Sequence, residues 1–316
     1  MRKIVILFLA LIIGLMPILA SSCTSEEKTV TVGCKNFNEQ YIIGQMLAQL
    51  LEAEGFTVEL VSDLSTESLR SSMEAGDIQI GADYTGTGWM SHLGHEYTPG
   101  VDNNELYQMV KDEDAANGFT WLDPIWNNNT YVLVSWPEFV EENNLTTLSD
   151  LAALYNAGDV EITTFVGFEF STRPDGLPAL EVHYGFSVPD DSLKTGAPGA
   201  SLLGLENHEC DVAMAFGTDA VISENGWYVY QDDQAFWPPY DLVPYVNTET
   251  LDKYPEIEDI INELVATFPG GGQTATPEII GQGQKVWQDL NAKIGVEMEP
   301  DEIAHEYLVE HGLISE

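Results

Sequence analysis

Val30-Thr31-Val32-Gly33-Cys34-Lys35-Asn36-Phe37-Asn38-Glu39-Gln40-Tyr41 opens the stretch, 30–82, whose reading decides the fold. The β-rich run Val30–Gly33 reads as a strand. Asn36 and Glu39 stand at capping-box spacing, so a helix is expected to begin there. Ile42, Met46 and Leu50 form one i,i+4 series, and Ile43, Leu47 and Leu51 a second, which gives that helix one buried face. Gly55 ends it. Phe56–Val61 alternates apolar and polar residues, the two-residue period of a strand. Thr66–Ala75 reads as a second helix closed by Gly76, and Ile78–Ala82 as a third strand. Strand, helix, strand, helix, strand predicts an α/β unit with a parallel sheet and helices on its faces.

The alternation restarts downstream. Tyr131–Ser135, Glu161–Thr164, Asp211–Phe216 and Trp227–Tyr230 read as strands, and Leu177–Tyr184 and Thr218–Asn225 as helices. The C-terminal part reads as helical over Leu251–Phe268, Thr276–Ile294 and Pro300–Gly312, with Gly270–Gly272 between the first two. Two α/β units in series leave a cleft, and ligands bind in such clefts at the carboxyl ends of strands.

The 316 residues suffice for two domains, and 44% hydrophobic with 10% aromatic content is a globular composition. Lys and Arg total 11 against 52 Asp and Glu, a net charge of -41. Nothing in that balance could neutralise a phosphate backbone, so nucleic-acid binding is excluded. The acids are scattered along the chain, and their mutual repulsion is relieved where salt screens it, which points to a halophilic setting.

Arg2 and Lys3 precede the apolar run Ile4–Ala20, followed by Ser21, Ser22 and Cys23. This pattern predicts a signal peptide over 1–22, lipidation at Cys23 and an acidic tether over 23–28. Leu19 stands four residues before the cysteine, one further than the usual lipobox. Pro17 interrupts a run too short for a retained span, so contact with the membrane is expected through the lipid anchor alone, on the extracytoplasmic face.

Enzyme signatures fail: the chain has no Walker loop, no dinucleotide-binding glycine fingerprint and no Gly-x-Ser-x-Gly elbow. No cofactor or metal is expected. His92, His95 and Glu96 lie close together but lack further ligands of matching type. What stands out is aromatic and cationic residues at predicted strand ends: Lys35; Tyr84 and Thr87 in Asp83-Tyr84-Thr85-Gly86-Thr87-Gly88; Asn129 and Tyr131 in Asn128-Asn129-Thr130-Tyr131; Arg173 in Ser171-Thr172-Arg173-Pro174-Asp175-Gly176; Phe216 in Phe216-Gly217-Thr218-Asp219; and Tyr240 after Pro238-Pro239.

In this order the segments resemble the substrate-binding proteins of ABC transporters for glycine betaine, proline betaine, carnitine and choline, from about Val30 to the C-terminus. The resemblance implies a type II periplasmic-binding-protein fold with two lobes, a ligand cleft and two crossing segments. Lobe one would comprise 29–128 and 241–316, and lobe two 129–240. It implies an ammonium box of Tyr84, Tyr131, Phe216 and Tyr240 with the Asn129 backbone carbonyl. Lys35, Arg173 and Thr87 would hold the ligand carboxylate. Phe216 departs from the tyrosine common in the family. The implied partners are a small quaternary-ammonium ligand and an ABC permease with a separate ATPase, and the chain is expected to act as a monomer. Physics agrees: a trimethylammonium group has no hydrogen-bond donor, so π-faces and carbonyl dipoles must recognise it, at about 0.5–2 kcal/mol per desolvated ring.

Three other readings stay open at this point. A small zwitterion such as an amino acid would use Asp83 or Asp219 as acceptor. A secreted metal-dependent enzyme would use His92, His95 and Glu96. A ligand-sensing receptor module would bind without transporting. Trp89, Trp126 and Trp237 are assigned to packing, and Cys34 and Cys210, in different lobes, are expected to be unpaired.

Overall fold

The computed structural model describes residues 27–294 and 298–316. The leader, Cys23 and most of the tether expected from the sequence lie outside the described residues. The strands are β1 (Thr29–Lys35), β2 (Thr57–Leu64), β3 (Ile80–Tyr84), β4 (Phe119–Trp121), β5 (Tyr131–Ser135), β6 (Thr164–Gly167), β7 (Leu193–Gly196), β8 (Val212–Phe216), β9 (Tyr228–Val229) and β10 (Leu242–Asn247).

They form two five-stranded sheets, ordered β2-β1-β3-β10-β4 and β7-β6-β8-β5-β9. In each, three parallel strands are followed by one antiparallel strand that arrives from the other lobe. In lobe one that strand is β10, paired with β3 (Tyr245↔Gly81), and in lobe two it is β5, paired with β8 (Leu133↔Met214). The lobes thus share one topology, and each antiparallel strand begins directly after a crossing.

The crossings run side by side. Ile125 N donates to Leu242 O at 2.8 Å and Asn129 N to Tyr240 O at 2.8 Å. The Oδ1 atoms of Asn127 and Asn128 accept from Leu242 N (3.0 Å) and Tyr240 N (2.9 Å). Asn128 has φ 43°, a left-handed conformation that asparagine tolerates better than most residues. This short ribbon is the mechanical link between the lobes.

The helix α1 (Asn38–Ala53) buries Ile42, Ile43, Met46, Leu47, Leu50 and Leu51, as the two i,i+4 series predict. It packs between β1 and the C-terminal helix Pro300–Glu310. The expected capping box is absent. Phe37 is the N-cap and contributes no side-chain bond. Glu39 turns inward instead, for reasons given below. The second helix, α2 (Thr66–Glu74), is capped by Ser65, whose side chain accepts from Ser68 N at 3.1 Å.

Other boundaries shift for local reasons. The strand expected over Glu161–Thr164 runs instead from Thr164 to Gly167. The helix expected over Thr218–Asn225 is only Val221–Glu224, because the Asp219 carboxylate accepts from Phe216 N and holds a turn there. The long helix expected over Leu251–Phe268 is two, Thr248–Lys253 and Glu256–Val265, since Pro255 forces Tyr254 out of helical geometry (φ -132°, ψ 71°). The helix Pro277–Lys293 stacks Trp287 on Phe268 at 5.3 Å and also reaches the other lobe. Gln284 and Gln288 donate to Gly217 O (2.9 and 3.1 Å) and Asn291 to Thr218 O (3.1 Å), all beyond the end of β8. Cys34 and Cys210 are free and buried, one in β1 and one just before β8.

Candidate ligand-binding site

The two sheets point their parallel strands' carboxyl ends at each other. Lys35, Tyr84, Gly167 and Phe216 are the last residues of β1, β3, β6 and β8. The two antiparallel strands enter from the same side, so Tyr131 at the start of β5 and Tyr240 just before β10 join them. Between these ends lies a cavity of about 750 Å³, lined by Lys35, Arg173 and Thr87 together with the expected ammonium-box residues Tyr84, Tyr131, Phe216, Tyr240 and Asn129.

The rings form one cluster drawn from both lobes and both crossings. Tyr131 lies 4.8 Å from Phe170, 5.3 Å from Phe216 and 5.7 Å from Tyr240 between centroids, the last edge-on. Phe37 stacks on Phe216 at 5.1 Å and faces Tyr84 at 6.2 Å, so it carries the cluster across the cleft. Phe37 and Phe170 were not singled out in the sequence as ring donors. Phe37 sits inside the Lys-x-Phe-x-Glu-Gln-Tyr motif, which was the available signal; Phe170 had none.

Local packing fixes the tyrosines. Tyr-Thr-Gly-Thr docks on the second crossing: Thr85 Oγ1 donates to Pro239 O (2.9 Å) and accepts from Asp241 N (3.1 Å). A Cβ on Gly86 would come within 2.8 Å of the Tyr240 ring and 2.9 Å of Pro239 O, so only glycine permits this approach. Tyr240 Oη donates to Asp175 at 2.5 Å.

Arg173 supplies the cationic end. Its Nε and Nη2 form a two-pronged pair with Asp175 (2.7 and 2.8 Å), and its Cζ lies 5.6 Å from the Tyr131 ring. Nη1 also donates to Glu169 at 3.0 Å, and three further bonds cross the cleft to lobe one: Thr66 Oγ1 at 3.1 Å, Ser91 Oγ at 3.2 Å and Thr87 Oγ1 at 3.4 Å. Arg173 and Thr87 therefore meet beside the ring cluster. Burial alone would raise the Asp175 carboxyl; the guanidinium holds it below its ordinary value.

Lys35 is buried and paired with Asp83 at 2.7 Å, and its ammonium lies 4.9 Å from the Tyr84 centroid. Burial raises the Asp83 carboxyl, but the ammonium and His92, 3.0 Å away, outweigh it and hold Asp83 well below the carboxylate range. His95 points elsewhere, stacking on Trp89 at 4.0 Å and meeting Glu113 at 2.8 Å. His92 and His95 thus serve different partners, and no group of three or more metal-ligating side chains occurs among the described residues. Asp83 is engaged by Lys35 and His92 and is no open acceptor for an amino-acid ammonium, whereas Asp219 lines the cavity and commits one oxygen to Phe216 N. Trp126 and Trp237 donate to backbone carbonyls of Gln273 (2.7 Å) and Asp175 (3.0 Å), and Trp89 to Glu96 O (3.1 Å), in keeping with packing roles.

Behind Tyr84 stands a residue the sequence reading used only as a cap. Glu39 is buried, and its Oε1 accepts from Tyr84 Oη (2.8 Å), Asn127 Nδ2 (3.1 Å) and Asn129 Nδ2 (3.2 Å). Its Oε2 and the Asn129 Oδ1 have no partner. Burial pushes the Glu39 carboxyl up to about 7.

A two-lobed fold with a ring-lined, cation-bearing interlobe cavity is that of a solute-binding protein. The chain belongs to the family described as the substrate-binding domain of ABC-type glycine betaine transport systems, which it matches over residues 28–310. It is 30% identical to a carnitine transport binding protein of Listeria monocytogenes, over 97% of this chain and 96% of that one. It is 27% identical to a glycine-betaine-binding protein of Pseudomonas aeruginosa, over 92% and 91%. A solved structure titled as a glycine betaine/carnitine/choline ABC transporter shares the fold, with a TM-score of 0.66, 23% identity and coverage of 92% of this chain and 100% of that one.

Proposed function

We propose that this protein captures a quaternary-ammonium compatible solute, glycine betaine or proline betaine first, and delivers it to an ABC permease driven by a separate ATPase. Tyr84, Tyr131, Phe216 and Tyr240, joined by Phe37, surround the ammonium group, with the Asn129 carbonyl toward it. Arg173, Thr87 and Lys35 take the carboxylate. The protein works as a monomer on the extracytoplasmic face, exported by residues 1–22 and held by a lipid on Cys23. Lobe one is 29–128 with 241–316, and lobe two is 129–240. Closure about the paired crossings desolvates the ligand and strengthens every ring contact.

The observation that carries this reading is the convergence of rings from both lobes beside the one arginine that spans the cleft. The relatives' names, carnitine and glycine betaine binding, point the same way. Calorimetric titration with glycine betaine, proline betaine, carnitine, choline and proline tests it. Saturable binding of at least one quaternary-ammonium compound, tighter than that of proline, is expected. Tighter binding of proline than of all four quaternary compounds would overturn it.

A further inference from the structure

The charges around the cavity do not balance: among the described residues Glu39, Asp219 and Asp241 take part in no ion pair, and of the three only Glu39 bonds to a ring of the cluster. Lys35 is neutralised by Asp83 at 2.7 Å and Arg173 by Asp175 at 2.7 Å. Glu39 is as deeply buried as any of these, yet among the described residues it takes part in no ion pair. Its three hydrogen bonds all fall on Oε1, and Oε2 is left without a partner. An ionised carboxylate buried without a cation is strongly disfavoured. The structure places this carboxyl a single phenol ring behind a cluster suited to a permanent cation.

We propose that Glu39 is the counter-charge of the bound ammonium group, acting through Tyr84, so that ligand capture is coupled to loss of the carboxyl proton. This rests on the ammonium assignment above and adds a residue and a proton to it. The coupling has a direct path. The Tyr84 hydroxyl donates to Glu39 at 2.8 Å while its ring faces the cavity. A phenol that donates to a carboxylate has a more electron-rich ring, and an electron-rich face holds a cation more strongly. By reciprocity, a cation on that face favours the ionised carboxylate. Since burial pushes this carboxyl up to about 7, the two forms are both populated near neutral pH before the ligand arrives.

The groups facing Glu39 come from every element around it. Tyr84 ends β3, Asn127 and Asn129 are in the first crossing, and Thr218 reaches it from lobe two. The Lys35–Asp83–His92 group lies against Tyr84, with the Lys35 ammonium 4.9 Å from its ring centroid, and Lys35 and His92 line the same cavity. Asp219 follows Thr218 and Asp241 sits in the second crossing; burial pushes both up to about 6. Glu39 differs from those two in bonding directly to a ring of the cluster.

Glycine betaine and choline keep their own charge between pH 5.5 and 8.5, so protein groups must supply any proton exchanged. Titrating each into the full chain near pH 7, in phosphate and in Tris at equal ionic strength, should give heats that differ by the buffers' ionisation enthalpies, with net proton release. Affinity should rise about tenfold from pH 5.5 to 8.5, the equivalent of one unit of pKa displacement. Glu39→Gln should abolish the buffer dependence and flatten the profile near 7. Tyr84→Phe, which keeps the ring but cuts the link, should do the same if Glu39→Gln folds poorly. Asp219→Asn should leave that step in place. Parent binding with no buffer-dependent heat and no pH dependence would overturn the proposal while leaving the ammonium assignment standing. Failure of the parent to bind any quaternary ammonium would overturn both.

Discussion

Replacing Arg173 with alanine should destabilise the protein more than the loss of a surface arginine could, and the structure says why. The guanidinium is the only cation on Asp175 among the described residues, with oxygens at 2.7 and 2.8 Å, and that carboxylate is fully buried. Removing one partner of a buried pair leaves an uncompensated charge, which costs about 3–5 kcal/mol. The bond to Glu169 contributes little beside this, because Glu169 is 40% exposed and screened. The bonds to Thr66, Ser91 and Thr87 cross the cleft, so their loss falls on the closed form and on binding. Changing Asp175 to asparagine in the same chain removes the stranded charge. Arg173→Ala with Asp175→Asn should therefore be more stable than Arg173→Ala alone, by about 2 kcal/mol or more. Urea denaturation at fixed salt measures all three proteins. The pH response supplies a second check. In the parent the Asp175 carboxyl is lowered, so the pair's stabilisation is present above the ordinary carboxylate range and lost as pH falls through the lowered value. In Arg173→Ala only the Tyr240 hydroxyl and a backbone hydrogen bond still oppose burial, so the carboxyl rises above its parent value and the variant's deficit should shrink as pH falls through that raised value. Equal stability of the single and double variants at pH 7 would refute the reasoning.

Thermal midpoints should climb from low to molar potassium chloride, because screening shortens to about 3 Å at 1 M and relieves the repulsion within a net charge of -41; a flat or falling midpoint would remove the high-salt reading. Cys34 and Cys210 should resist thiol reagents in the native protein and react on denaturation without reductant, since both are buried and burial pushes each thiol up to about 12; a Cys34–Cys210 peptide in a non-reduced digest would contradict the two-lobe layout.

The parallel half of lobe one was legible because its signals are local. The paired i,i+4 series of α1 and the strand runs on either side need no knowledge of the rest of the chain. The interior strand β10 was not legible. It contains Pro244, which argues against an interior strand, and its pairing with β4 begins only at Tyr245. Its partner β3 belongs to a distant part of the chain, so nothing local announces the pairing. The short strands β4 and β7 carry too few residues for a period. At the site, tyrosines in Thr/Gly and Pro-Pro settings stood out because such segments are poor core. Glu39 was misread for the opposite reason: a glutamate three residues after an asparagine is ordinary capping spacing, and only the arrival of Asn127, Asn129 and Tyr84 from other segments turns it inward. Helix Pro277–Lys293 hid its hold on Gly217 and Thr218 in the same way, since glutamines on a helix look like a solvated face.

The central claim is that aromatic faces hold an ammonium group in the interlobe cavity, and Tyr84 tests it most directly. Glycine betaine should be titrated into the parent, Tyr84→Phe and Tyr84→Ala at pH 8, with circular dichroism confirming the fold of each. Alanine deletes a desolvated cation–π contact worth about 2 kcal/mol, so affinity should drop roughly thirtyfold. Phenylalanine keeps the face and should lose several-fold less. A folded Tyr84→Ala protein that binds glycine betaine as tightly as the parent would contradict the account.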